Sequence, residues 1–256
     1  PTGAFSRLYR NEQGRLVLDA ANQALLEKVG LVNGAVFSDL TGDGWPELVL
    51  ACEWGPVRVL KNQAGTFSDA TQELGLAAHA GWWTGVETGD LNGDGLLDIV
   101  AANWGLNSPY QPTPAHPVVM FFGDLDADSR PDLIEGYFAP ELGKLVPRRN
   151  LKILGAALPF VKTRFASHQA YSEAGLAEIL GERFDRTPRL EAVTLASMVF
   201  LNQRTQFVAQ PLPREAQLAT AFGVCVADLD GDGHEDVFLS QNFFATHPEL
   251  SRLDAG

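Results

Sequence analysis

The sequence predicts an all-β fold: a partial β-propeller, or similar stack, of repeated four-stranded antiparallel blades with one mainly helical insertion. Three observations predict it. A nine-residue acidic phrase recurs four times, short β-prone runs flank it, and a second, hairpin-like repeat keeps step with it at a spacing of 51 residues. A unit of about 50 residues made of short strands buries its faces only by stacking on its neighbours, the mark of a propeller or array. The 256 residues hold material for four or five blades.

The acidic phrases are Asp39–Glu47, Asp90–Asp98, Asp124–Asp132 and Asp228–Asp236, each with leucine at position 2. Positions 1, 3, 5 and 9 carry oxygen-bearing side chains. They are Asp39, Thr41, Asp43 and Glu47 in the first copy, and Asp90, Asn92, Asp94 and Asp98 in the second. The third has Asp124, Asp126, Asp128 and Asp132, and the fourth Asp228, Asp230, Asp232 and Asp236. A hard cation takes six to eight oxygens, and a short loop with this spacing supplies them. Position 7 would add a backbone carbonyl, from Trp45, Leu96, Arg130 and His234. Glycine at position 6 (Gly44, Gly95, Gly233) permits the positive φ of a sharp turn. Asp-Gly stretches also occur as plain solvated turns, but four copies in one register argue for three to four Ca²⁺ sites. Asp228–Asp236, with four carboxylates, Gly231 and Gly233, is expected to bind tightest. Thr41 weakens the first loop. Ser129, standing where glycine eases the turn, makes the third weakest, unless a rearranged loop recruits Glu135.

Charge agrees with this reading. The chain has 32 acidic and 19 basic residues, for a net charge of −13. The four phrases hold 14 carboxylates at positions 1, 3, 5 and 9, and without them 18 acids face 19 bases. Acidity is therefore concentrated in the loops, and a nucleic-acid partner, which needs a basic excess, is not expected.

Apolar, β-prone runs lead into the phrases (34–37, 118–122, 223–227) and out of them (48–51, 99–102, 237–239), so the unit is strand–loop–strand. An EF-hand would need flanking helices and a Glu at position 12. That position is Leu50, Ala101 and Leu239 in three copies, and only the third offers Glu135. The second repeat pairs Leu8–Leu16 with Val59–Phe67, matching Asn11 to Asn62 and Gly14 to Gly65. Such Asn-x-x-Gly stretches between apolar runs are hairpin turns. A third echo runs from Val199 through Asn202 to Phe207, with Thr205 in the glycine position.

These phrases carry a resemblance. Their form between strands resembles the FG-GAP or VCBS repeat of integrin-like β-propellers. The wording at Gly42–Glu47, Glu53–Val57, Asn103–Asn107 and 211–217 is similar to bacterial relatives of cartilage acidic protein, which often end in a UnbV/ASPIC domain. No counterpart of that domain stands in these residues. The resemblance covers nearly all of residues 1–256, most closely 30–135 and 195–240. It implies calcium-binding, extracellular propellers, with cell adhesion among their roles.

The repeat lapses over 136–198. Leu151–Phe165 is apolar and basic with Pro147 and Pro159 as breakers, and 167–184 reads as an amphipathic helix with Leu176, Ile179, Leu180 and Phe184 on one face. The helix is expected to pack on the scaffold; the sharper reading is a lid or docking element. Lys144, Arg148, Arg149, Lys152, Lys162 and Arg164 form the one basic concentration, a solvated face or a contact for an acidic polymer.

No catalytic residues emerge. The five histidines fit no zinc spacing, and there is neither a G-x-S-x-G elbow nor a phosphate-binding glycine loop. The expected function is a non-catalytic, extracellular binding module, monomeric, with a protein or polysaccharide ligand. The alternative is a secreted carbohydrate-active enzyme, a polysaccharide lyase or hydrolase, on the same scaffold. Trp54 and Trp104, each before a glycine, suggest a repeated packing role, and Trp82 and Trp83 point to opposite strand faces, so one of them is a candidate for exposure. Cys52 and Cys225 read as two small buried thiols. No stretch approaches the eighteen or so apolar residues of a membrane span. Extracellular-type calcium sites bind at roughly 10⁻⁴ to 10⁻³ M, too weakly to fill in a cytosol, so the cell surface, periplasm or medium is expected.

Overall fold

The computed structural model describes residues 5–242. The fold is mostly β, built from antiparallel sheets: two of four strands, one of five and two hairpins among the described residues. The described residues divide into two compact units, one of residues 5–109 with 194–242, the other of residues 110–193.

In chain order, β1 (Tyr9–Glu12) and β2 (Arg15–Leu18) form a hairpin, followed by the short helix α1 (Gln23–Leu26). β3 (Leu31–Ser38), β4 (Glu47–Gly55), β5 (Arg58–Gln63) and β6 (Thr66–Asp69) form a meander, with β7 (Gly81–Trp82) pairing to the end of β4. β4 is buried on both faces. Val49 and Ala51 join one apolar cluster, while Leu48, Leu50 and Cys52 join another. This period of two, apolar on both sides, is what a sheet stacked between neighbours requires.

β8 (Gly85–Gly89) and β9 (Asp98–Ala102) open the next sheet, and the chain then leaves it for the second unit. There β10 (Val118–Gly123), β11 (Asp132–Ala139) and β12 (Lys144–Pro147) run as a meander. Helices α2 (Leu151–Ala157), α3 (Pro159–Arg164), α4 (His168–Ser172) and α5 (Leu176–Leu180) then carry the chain to β13 (Arg189–Ala192). β13 pairs with β10, giving the order β12-β11-β10-β13. The helices cover one face of this sheet: Leu154, Leu158, Val161, Leu176, Ile179 and Leu180 pack with Val119, Phe121 and Ile134.

Back in the first unit, β14 (Met198–Asn202) and β15 (Phe207–Pro211) finish the interrupted sheet, in the order β15-β14-β9-β8. The 110–193 unit is thus inserted between the second and third strands of one blade-like sheet. Ile99, Ala101, Met198 and Phe200 of this sheet share a core with Val49, Ala51, Val57 and Val59 of the preceding one. β16 (Ala221–Ala227) and β17 (Asp236–Gln241) form the last hairpin. The first strands of successive sheets approach closely. A Cβ on Gly34 of β3 would stand 3.2 Å from Gly85 Cα of β8, and one on Gly85 would stand 2.8 Å from the Phe222 carbonyl of β16. Glycine is required at these crossings because there is no room for a side chain.

Several details differ from the sequence reading. Residues 167–184 form two helices and a 3₁₀ turn rather than one helix, because Gly175 caps α5 in an extended conformation (φ −85, ψ 170). A Cβ at Gly175 would meet the Leu145 carbonyl at 3.1 Å, so the chain needs glycine where it passes β12. The apolar face itself is as read: Leu176, Ile179 and Leu180 are fully buried and Phe184 packs beside them. Trp82 and Trp83 are both buried, since Trp82 lies between Trp54 and Trp104 at ring distances of 5.0 and 5.4 Å. Cys52 is buried, whereas Cys225 is exposed on the final hairpin.

Candidate functional site: four acidic loops

Each acidic phrase joins two antiparallel strands: β3 to β4, β8 to β9, β10 to β11 and β16 to β17. Strand ends therefore fix both ends of every loop, and the residues between them adopt one backbone form. Positions 4 and 6 are left-handed in all four. In three loops they are glycines: Gly42 and Gly44, Gly93 and Gly95, Gly231 and Gly233. In the third, Ala127 (φ 65) and Ser129 (φ 68) take the same conformation. For a residue with a Cβ this is uncommon and costs on the order of 1 kcal/mol or more. The loop keeps its shape against local preference rather than rearranging, and Glu135 does not join it. Glu135 instead accepts a hydrogen bond from the Tyr110 hydroxyl.

Amide groups organise the carboxylates identically. One oxygen of the position-1 aspartate accepts the position-6 N–H: Gly44 to Asp39, Gly95 to Asp90, Ser129 to Asp124 and Gly233 to Asp228, at 2.8–3.0 Å. The position-7 N–H donates to position 5: Trp45 to Asp43, Leu96 to Asp94, Arg130 to Asp128 and His234 to Asp232, at 2.8–2.9 Å. The leucine at position 2 donates its N–H to position 9, from Leu40 to Glu47, Leu91 to Asp98, Leu125 to Asp132 and Leu229 to Asp236. At position 3, Asn92 bonds Asp94 through both its amide nitrogen and its oxygen. Asp230 accepts the Asp232 amide and Asp126 the Asp128 amide. Thr41 is exposed in the first loop.

Carboxylate oxygens of Asp124, Asp126 and Asp128 lie within 4.8 Å of one another, as do those of Asp228, Asp230 and Asp236. In the first two loops Thr41 and Asn92 replace the position-3 acid, so fewer charges converge there. The side chains at positions 1, 3, 5 and 9 of all four loops offer oxygens, without thiolate or imidazole, a set that suits a hard cation and disfavours a softer metal. Burial pushes the carboxyls of Glu47, Asp98 and Asp132 upward, with the other loop acids adding to the effect and backbone amides opposing it. The more open Asp228 is held below its ordinary value by the amides of Gly233 and Gly231.

Asn62 and Asn202 were legible only as turn residues, yet each also ties a loop to the next strand. The Asn62 amide donates to Glu47 Oε1 (3.4 Å) and its side chain to the Pro46 carbonyl (2.9 Å). The Asn202 amide donates to Asp98 Oδ1 (2.8 Å) and its side chain to the Leu97 carbonyl (3.1 Å). The Asn202 side chain also reaches the Leu40 carbonyl (3.0 Å), linking the second sheet to the loop of the first. The available signal was the echo that matches Asn11, Asn62 and Asn202 between apolar runs, which marks the turn but not the bond to the acidic phrase.

Residues 39–101 match the family profile described as an FG-GAP-like repeat. This stretch is an FG-GAP-like repeat. The match begins at the first residue of the first loop and runs through β9, so it contains two of the four loops and the intervening meander. The other two loops share the bond pattern of the FG-GAP-like pair, one in each unit. No curated relative matches the chain. Among the described residues no helix is long and apolar enough to cross a membrane.

Proposed function

We propose that the protein is a calcium-stabilised, non-catalytic binding module of the extracellular type, whose propeller-like blades present a surface to a protein or glycan ligand. The observation that carries this reading is the common loop geometry. Four loops hold the same amide-ordered carboxylates, and the third keeps that geometry with Ala127 and Ser129 in left-handed conformations. A fold has little reason to crowd acids in one strained shape unless a cation offsets their repulsion. Asp39, Asp43 and Glu47, Asp90, Asp94 and Asp98, Asp124, Asp126, Asp128 and Asp132, and Asp228, Asp230, Asp232 and Asp236 would hold Ca²⁺, with Thr41 and Asn92 as neutral donors. The carbonyls of Trp45, Leu96, Arg130 and His234 would complete the shells. Bound calcium supplies charge neutralisation, and the chain's own part is to aim these oxygens through amides and strand ends.

The weak calcium affinity typical of such modules fits an exported protein, where calcium is near millimolar. The binding role is tested by screening the chain against arrayed glycans and extracellular proteins in calcium and in chelator, followed by a turnover assay on any glycan bound. A ligand held without turnover is the expected result. Turnover would show that the scaffold carries an enzyme.

A further inference from the structure

We propose that the cleft at the end of β10, walled by Arg164, Arg183 and Arg186, binds a small organic anion through its carboxylate or sulfate-type group. The cleft lies wholly within the 110–193 unit and has a volume of about 710 Å³, in the range of small-molecule sites. Phe122, Leu125, Leu180 and Pro188 give it apolar lining. A guanidinium presents a planar fork of donors that matches an oxyanion in two bonds at once.

The three arginines are positioned by the chain. Arg164 Nη1 donates to the carbonyls of Glu178 (2.8 Å) and Ile179 (2.9 Å) at the end of α5. Gly181 makes room for this: it has a positive φ of 57, and a Cβ there would lie 2.8 Å from Arg164 Nη1. The Arg183 guanidinium rests over the Phe160 ring at 4.9 Å. Arg186 follows on a turn closed by its own amide and that of Thr187, both donating to the Arg183 carbonyl (3.1 and 2.8 Å).

Charge points to the ligand. Acids outnumber bases 32 to 19 in this chain, and Arg10, Arg58, Lys61, Lys144 and Arg189 each have a carboxylate partner. Among the described residues, Arg164, Arg183 and Arg186 have none. Two acids also line the cleft, Asp124 and Glu182. Both oxygens of Asp124 accept amides of its own loop, from Asp128 (3.1 Å) and Ser129 (3.0 Å), so that carboxylate is held by its loop, and three guanidiniums outnumber the two acids of the cleft.

The test is calorimetric titration of the whole chain, in calcium at low ionic strength, with sodium sulfate and separately with glucuronate, using glucose as the neutral control. Saturable one-site binding of at least one anion and none of glucose is expected, and whichever anion saturates identifies the group read. The double variant Arg183→Gln/Arg186→Gln should weaken binding at least tenfold with an unchanged melting temperature. Arg164 is left intact because it also ties down α5. The proposal is overturned if neither anion binds, or if the double variant binds as tightly as the wild type. It is also overturned if binding disappears with chelator yet ignores the arginine substitutions, since the anion would then sit on a loop cation.

Discussion

The backbone amide of Asn202 donates to Asp98 Oδ1 at 2.8 Å, tying the second loop to a strand that the chain reaches only after its insertion. Asp98 is fully buried, and its other oxygen accepts the Leu91 amide. Replacing it with alanine strands two amides, so Asp98→Ala should cost about 3 kcal/mol. Glu47→Ala should cost less, because the equivalent Asn62 contact is 3.4 Å long. Urea unfolding in chelator, which removes any contribution of metal, measures both. Equal costs would show that the Asn202 link contributes little.

Ala127 and Ser129 occupy left-handed positions that the other loops give to glycine. Ala127→Gly and Ser129→Gly should each stabilise the 110–193 unit by about 1 kcal/mol, with the relief of strain exceeding the entropy lost by adding glycine. Denaturant midpoints would register this as a rise, and a fall for both variants would mean that the conformation is unstrained.

The contrast between those two residues shows what the sequence discloses. Side-chain chemistry at fixed spacing was readable, so all four phrases, their strand–loop–strand setting and the left-handed turn at Ser129 followed directly. Ala127 was missed because alanine gives no hint of a positive φ. In the sequence the repeat lapses after the third phrase, whereas in the structure that phrase lies within the compact unit of residues 110–193. Only three-dimensional pairing shows this, because β14 completes the sheet of β9 and hydrogen bonds between distant strands leave no local mark. The broken helix has the same origin, for Gly175 is dictated by the passing β12 strand.

Asp19 should govern part of the acid response. Its hydrogen bond from Arg10 outweighs burial and, with Asn22, lowers its carboxyl to about 2. A carboxyl depressed in the folded state contributes stability above its unfolded value, near 4, and that contribution is lost as pH falls towards 2. Asp19→Asn should therefore be less stable than wild type at neutral pH, with the gap narrowing between about pH 4 and pH 2. Melting curves across that range check it, and a gap independent of pH would contradict it.

The two cysteines should react differently. Burial raises the Cys52 thiol to about 11, whereas Cys225 is exposed. Because the thiolate is the reactive form, a thiol reagent at pH 8 should titrate one cysteine quickly in the native protein and both in denaturant. Fast reaction of two thiols without denaturant would show that β4 opens readily.

Thermal unfolding with 1 mM calcium and with excess chelator tests the central claim most directly. At a dissociation constant of about 10⁻⁴ M each loop contributes roughly 1.4 kcal/mol, so four contribute about 5–6 kcal/mol. At about 2–4 °C per kcal/mol for a chain of this size, chelation should lower the melting temperature by roughly 10–20 °C. Asp232→Ala should remove more of that difference than Asp128→Ala. A melting temperature indifferent to chelator, or Asp128→Ala costing more than Asp232→Ala, would contradict this account of the loops.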